Sequence, residues 1–225
     1  MANFYYNKII LHGDDKEIKK LFNMVESNNN RFDFDKIIPM PDCLSIKVSE
    51  NIVDLVKETN PNVSKLSTHD KALYNQCFQN LKDTGYAYWN DWRLDKWGTS
   101  WNAVDAEINE NTIIFQTASG EPTPVIENLS KTFPSILLDW YYLFEVEDHV
   151  YEHILFGGET IRKIENMPYD YYWANIYFDF FPGEKEEFAL YIFPDSREFY
   201  FRWQNVFGVK ELDEDEKGEL FVPFL

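Results

Sequence analysis

Residues for cross-linking and for tight backbone geometry are scarce in this chain: 225 residues include two cysteines and nine glycines. Cys43 and Cys77 stand outside any C-x-x-C spacing. They are too few for a disulfide framework or an iron–sulfur cluster and read as two buried free thiols. Basic charge is also short, 21 Lys and Arg against 39 Asp and Glu, for a formal net charge of -18. Such a surface repels phosphate backbones and anionic lipid, which excludes nonspecific nucleic-acid binding and a membrane-surface role. No apolar run of 18 residues occurs, and the opening Met1-Ala2-Asn3-Phe4-Tyr5-Tyr6-Asn7-Lys8 has neither the basic nor the apolar stretch of a signal peptide. A cytoplasmic protein is expected. Neither G-x-G-x-x-G nor G-x-x-x-x-G-K-[ST] occurs, and Ser119-Gly120 lacks the preceding glycine of a nucleophile elbow. No repeat of solenoid or propeller period is present.

Core-forming residues are abundant: 44% of the chain is hydrophobic and 18% aromatic. That excludes disorder for its bulk. The order of elements follows from periodicity. Phe4 to Leu11 is β-rich and ends at His12-Gly13-Asp14-Asp15, and Ile18, Leu21, Phe22 and Val25 then recur at helical spacing. Phe32 to Pro41 reads as an extended connector because each of its two prolines disfavours helix in the residue before it. Residues 49–84 read as two short helices broken at Asn60-Pro61. Val104, Ala106 and Ile108 alternate with polar residues and, after Asn109-Glu110-Asn111, a run from Thr112 to Thr117 completes a hairpin. A helix after Pro122-Thr123-Pro124 and a strand from Ile136 to Phe144 follow.

The resulting order β-α-(insertion)-β-β-α-β predicts an α+β, ferredoxin-like split βαβ fold: a four-stranded antiparallel sheet with two helices on one face. The expected division is a domain over 1–165 with a helical insertion at about 44–97, and an aromatic β-rich C-terminal extension over 166–225. Beyond the split βαβ, Glu159 to Ile164 reads as an added strand; in the extension, Ala189 to Phe193 and Glu198 to Trp203 read as strands, and Val209 to Glu219 as a charged, solvated tail.

Two motifs offer chemistry. His149-Val150-Tyr151-Glu152-His153 matches the H-x-x-E-H pattern of inverted zinc peptidases. Its flanks are strand-like, however, and an extended chain separates the imidazoles by roughly 13 Å at about 3.3 Å per residue, too far for one zinc. No metal, cofactor or catalytic residue is therefore assigned. Trp89 to Ala103 carries four tryptophans interleaved with Asp91, Arg93, Asp95 and Lys96, a combination able to stack a ring and bond its rim. Trp92, Arg93, Trp97 and Trp101 are its candidate ligand-binding residues, beside the reading that these indoles anchor an irregular loop to the core. In the extension, Tyr171, Tyr172, Trp173, Tyr200 and Trp203 are candidates for a partner-binding surface, an aromatic centre within a charged rim.

Four blocks, Met1-Ala2-Asn3 before a strand, Phe32-Asp33-Phe34-Asp35-Lys36-Ile37-Ile38-Pro39-Met40-Pro41, Trp97-Gly98-Thr99-Ser100-Trp101-Asn102-Ala103, and Pro122-Thr123-Pro124-Val125-Ile126 with Phe133-Pro134, resemble in this order the YubB-like family of phage and plasmid proteins with a ferredoxin-like domain. The resemblance covers about residues 1–145 and implies a mobile-element protein in a bacterial host cell, without catalytic residues to carry over. The expected function is non-enzymatic protein–protein binding: an acidic inhibitor or modulator of a host nucleic-acid-handling defence enzyme, of the anti-CRISPR or anti-restriction type. The alternative is a small-ligand-binding protein or hydrolase centred on the tryptophan loop 89–103.

Overall fold

The computed structural model describes residues 3–59, 61–145 and 150–165 in full, and residues 188–193, 198–203 and 220–223 by their backbone. Strand β1 (Phe4–His12) alternates as its sequence does, burying Asn7, Ile9 and Leu11 on one face. Helix α1 (Asp15–Val25) starts where the Asp14 carboxylate accepts the Lys16 N–H at 2.9 Å, a side-chain N-cap, and it buries Ile18, Leu21 and Val25. The hairpin is formed by β2 (Val104–Asn109) and β3 (Thr112–Ala118). Helix α6 (Thr123–Thr132) has a proline in its first turn, where no N–H is missed, and β4 (Leu137–Phe144) follows.

These elements build an α+β fold around a sheet of six strands rather than the expected four. Its order is β2-β3-β1-β4-β5-β6, and every neighbouring pair is antiparallel. The additions are β5 (Val150–Phe156) and β6 (Glu159–Ile164), joined by a turn through Gly157 and Gly158. They extend the sheet because β4 has an edge not taken by β1, along which β5 pairs antiparallel. The C-terminal strands pair separately, β7 (Phe188–Phe193) between β8 (Glu198–Trp203) and β9 (Leu220–Pro223). The segment 209–219 lies outside the described residues.

One face of the large sheet meets the helices. Ile9, Leu11, Ile113, Phe115, Leu138 and Trp140 pack there with Leu21, Val25, Val125, Ile126 and Leu129 in one buried cluster. Each such side chain contributes roughly 1.5–3 kcal/mol when fully buried. The same face carries a polar thread. Trp140 Nε1 donates to Asn7 Oδ1 at 3.1 Å, Asn7 Nδ2 to Thr117 Oγ1 at 3.3 Å, and Thr117 Oγ1 to the Gly120 carbonyl at 2.8 Å. Asn7 and Thr117 are fully buried, so the thread meets the need of buried polar groups for partners and ties β4, β1 and β3 together.

Between α1 and β2 lie α2 (Phe34–Ile37), α3 (Glu50–Lys57), α4 (Thr68–Thr84) and α5 (Trp89–Lys96). Three expectations need correction here. The stretch 32–41 is not wholly extended, because Asp33 Oδ1 accepts the Asp35 N–H at 3.1 Å and caps the short α2 before the prolines take over. Trp89 to Lys96 is helical rather than an irregular loop. Only one thiol is buried: Cys77 lies inside, whereas Cys43 is exposed in a short turn that sends Leu44 inward instead. Helices α3 and α4 share a separate small cluster of Ile52, Val53, Val56, Cys77 and Ala87.

Two of the sequence blocks dock on each other. Trp97, 1% exposed, donates its Nε1–H to the Ile38 carbonyl at 2.9 Å and stands edge-on to Phe34 at 5.8 Å. Asn102 Oδ1 accepts the Phe34 N–H at 2.9 Å while its Nδ2 donates to Asp33 at 2.6 Å. Gly98 adopts φ +79°, and a Cβ there would lie 2.5 Å from the Glu121 carbonyl oxygen. Gly98→Ala is therefore expected to cost about 2 kcal/mol or more, backbone strain and a backbone clash together. A thermal or urea melt checks this, against Gly85→Ala, which has a similar φ of +85° but open space at its Cβ and should cost less.

Candidate functional site

The sheet face opposite the helices carries a group that sequence reading missed. Residue alternation places His12 of β1, Asp139 and Tyr141 of β4, Glu152 of β5 and Arg162 of β6 on it, across four adjacent strands. The Tyr141 hydroxyl lies 2.8 Å from Asp139 Oδ2 and 3.3 Å from Glu152 Oε1. Arg162 Nε pairs with Glu152 Oε2 at 3.0 Å, and His12 Nε2 lies 3.9 Å from Asp139 Oδ2. Tyr141 is fully buried and Glu152 is 2% exposed, while the outer members His12 and Arg162 are open to solvent.

A phenol has one proton to donate, so it serves one carboxylate at a time. Both contacts are hydrogen bonds together only when one carboxyl is protonated and donates to the phenol oxygen. The electrostatics point the same way. Burial raises the Asp139 carboxyl above the usual range, opposed by the Tyr141 hydrogen bond and by the charges of His12, Arg162 and Lys8. Burial likewise raises Glu152, with Arg162 opposing and Asp139 adding to the rise. The arrangement brings two carboxyls with raised pKa onto one phenol, a geometry suited to sharing a proton between them. Beside His12 lies a groove of about 600 Å³ lined also by Leu11, Asp15, Ile18, Lys19 and Glu110.

The H-x-x-E-H segment is part of this picture in a different form. Its described part is strand β5, so Glu152 and His153 point to opposite faces and do not converge; His149 lies outside the described residues. His153 is 6% exposed and edge-on to Trp140 at 5.1 Å and Tyr142 at 5.4 Å. Burial pushes its imidazole down to about 4, which keeps it neutral near pH 7. Among the described residues no group of three His, Cys, Asp or Glu is placed to hold a metal ion.

The four candidate ligand residues of the tryptophan segment are divided. Trp92 and Trp97 are buried and stand edge-on at 5.6 Å, so both serve the core. Trp101 is 42% exposed and edge-on to Phe4 at 6.0 Å, away from the buried pair. Arg93 places its guanidinium 4.7 Å from the Trp97 ring and 5.1 Å from that of Trp89, a cation–π sandwich. It makes no ion pair among the described residues, and its buried Nε has no acceptor. Burial lowers its pKa, and Asp35 and Asp33 oppose the shift. Of the partner-surface candidates, Tyr171, Tyr172 and Trp173 lie outside the described residues; Tyr200 and Trp203 lie on the backbone of β8.

The raised carboxyls make a pH prediction. A carboxyl whose pKa is higher folded than unfolded binds more protons in the native state. Its contribution is full below the unfolded value of about 4 and is lost as pH rises through the folded value. Glu152→Gln and Asp139→Asn should therefore each flatten the loss of stability between pH 4 and 7. Urea melts at pH 4, 5.5 and 7 read this; parallel profiles for variants and parent would refute it.

No family model and no curated protein matches the chain. Among solved structures, it is similar to the crystal structure of a protein api92 from Yersinia pseudotuberculosis (family DUF1281), with a TM-score of 0.39 and 9% identity over 76% of this chain and 100% of that one. A likeness this distant transfers neither fold nor function.

Proposed function

We propose that the protein is a non-enzymatic binding protein of a mobile element, acting on a basic partner of the kind a host nucleic-acid-handling defence enzyme presents. In this reading β1-α1-β2-β3-α6-β4 is a ferredoxin-like core, widened by β5 and β6 and interrupted by the helical insertion. The observation that carries the reading is the acidic end of the sheet. Asp15 and Glu110 line the groove beside His12, and Asp105 and Glu107 stand exposed on the edge strand β2. None of these four carboxylates is in an ion pair among the described residues; Lys19 is the one cation lining that groove. With 39 acidic residues in the chain, the local field adds to a global one, which steers a basic surface into contact and competes there with nucleic acid.

The test is retention of a basic nuclease from bacterial lysate on the immobilised protein through a salt series, followed by assay of that nuclease's activity. Retention above physiological salt with loss of nuclease activity is expected, and Asp15→Lys with Glu110→Lys should weaken it about tenfold or more, since paired interface charges couple by roughly 1.5 kcal/mol upward. Equal retention by an unrelated acidic protein of matched charge, or indifference to the double reversal, overturns the reading.

One observation favours the second reading, a ligand site at the tryptophan segment: Arg93 stacks between two indoles with its Nε lacking an acceptor. A small aromatic carboxylate such as benzoate should then quench tryptophan fluorescence saturably, and Arg93→Ala should abolish the effect. A linear, unsaturable response in the parent chain removes this reading.

A further inference from the structure

The small sheet of β7, β8 and β9 has two faces of different composition. Its register sets Phe188 opposite Trp203, Leu190 opposite Phe201 and Ile192 opposite Phe199, and β9 adds Leu220 and Val222 to the same face. Every position on that face is apolar or aromatic. The other face holds Tyr191 and Tyr200 together with the charged Glu198 and Arg202. Tyr200 and Trp203, both candidates for a partner surface, therefore lie on opposite faces. A three-stranded sheet gains independent stability from a packed hydrophobic face, and an apolar patch of this extent is rarely left in water.

The large sheet has a buried patch that its helices do not explain. On the face opposite them Tyr141 and Val150 are 0% exposed, Leu143 1% and Glu152 2%. Leu143 pairs with Val150 and Tyr141 with Glu152, so the four are contiguous across β4 and β5. Helices α1, α2, α5 and α6 contribute to the buried cluster on the other face, while α3 and α4 pack on each other. Tyr141, Leu143 and Val150 belong to neither of these clusters. Their burial is complete within a single chain, which leaves no room there for a second copy or another protein.

We propose that the apolar face of the β8-β7-β9 sheet docks on this back face of the large sheet, closing a two-layer sandwich with Phe199, Phe201 and Trp203 over Leu143 and Val150. Two sheets packed face to face stand about 10 Å apart and bury both inner faces. A sheet suits this position better than a loop, because its backbone donors and acceptors are already paired along the strands, whereas a loop would bury unpaired ones. The face with Glu198 and Arg202 turns to water. Chain length permits the return: residues 165–187 separate β6 from β7, and at up to about 3.3 Å each they span far more than the thickness of a sandwich. The arrangement divides the partner-surface candidates, with Trp203 committed to the interior and Tyr200 left at the surface.

The test is NOE spectroscopy on the full chain, with ¹³C-labelled Leu and Val methyls and labelled aromatic rings. Expected are contacts from the Leu143 and Val150 methyls to the rings of Phe199, Phe201 or Trp203, and none to Tyr191 or Tyr200. Contacts to Tyr191 or Tyr200 instead, contacts only to residues 146–149 or 166–187, or contacts found only between differently labelled chains in a mixed sample overturn the proposal. A second readout is nitration by tetranitromethane under native conditions. Phe201→Asp should raise the reactivity of Tyr141 at least tenfold, while Tyr200→Asp leaves it at the parent rate; equal effects of the two variants, or no effect of either, overturn the proposal. The NOE pattern of the parent chain decides the matter if Phe201→Asp does not fold.

Discussion

The structure depends on one return path. After α1 the chain leaves the sheet for the helical insertion and must come back to begin β2 on the far side of β3. The segment Trp97 to Ala103 makes that return, and it is held by side-chain hydrogen bonds, most of them to backbone, rather than by regular structure. Trp97 reaches the Ile38 carbonyl, Asn102 brackets Asp33 and Phe34, and Thr99 Oγ1 donates to the Ala118 carbonyl at 2.6 Å. Gly98 and Gly120 pass so closely that neither tolerates a side chain. This crossing fixes the position of β2 relative to β3 and so determines which strand forms the sheet edge.

That edge has consequences for association. An exposed edge strand invites pairing with another chain unless charge or a bulge prevents it. In β2 both are present: the register shifts between Val104 and Glu107, and Asp105 within that shift has φ +49°. The kink turns the strand from a flat template, and the carboxylates of Asp105 and Glu107 repel an incoming strand of like charge. The same two residues that block edge pairing are exposed carboxylates of the acidic surface on which the proposed function rests.

How much of this could be read beforehand varied with the range of the interaction. Strand β1, helix α1, the β2–β3 hairpin, helix α6 and strand β4 were legible because each depends on a local period and a local turn or cap. The six-strand width was not, since whether β5 and β6 join β4 depends on the edge left free in three dimensions. The short helix α2 was missed because the two prolines of 32–41 were read as extending the whole stretch, whereas Asp33 caps a turn that ends before them. The Asp139–Tyr141–Glu152 group was illegible for a deeper reason. Asp139 and Tyr141 are alternating residues of β4 and Glu152, noticed only within H-x-x-E-H, lies in β5; the register that pairs Tyr141 with Glu152 brings them together. In a chain with 39 acids nothing in the sequence pairs Asp139 with Glu152.

The two faces of the sheet also solve the burial of polar groups differently, and the difference assigns their roles. On the helix face, Asn7, Thr117 and Trp140 use neutral donors and acceptors with each atom of the thread matched, so proton concentration leaves it unchanged. On the other face, Asp139 Oδ1 and Glu152 Oε2 are buried without a hydrogen-bond donor, although Arg162 stands 3.0 Å from the latter. A buried carboxylate oxygen left in that state is costly when ionised and tolerable when the group is protonated. The first arrangement is therefore purely structural. The second is built from titratable groups whose hydrogen bonding depends on their protonation, and His12 at its solvent edge opens onto the same groove that carries Asp15 and Glu110. A cation brought into that groove would favour the ionised form of these carboxyls and so oppose the upward shift that burial gives them.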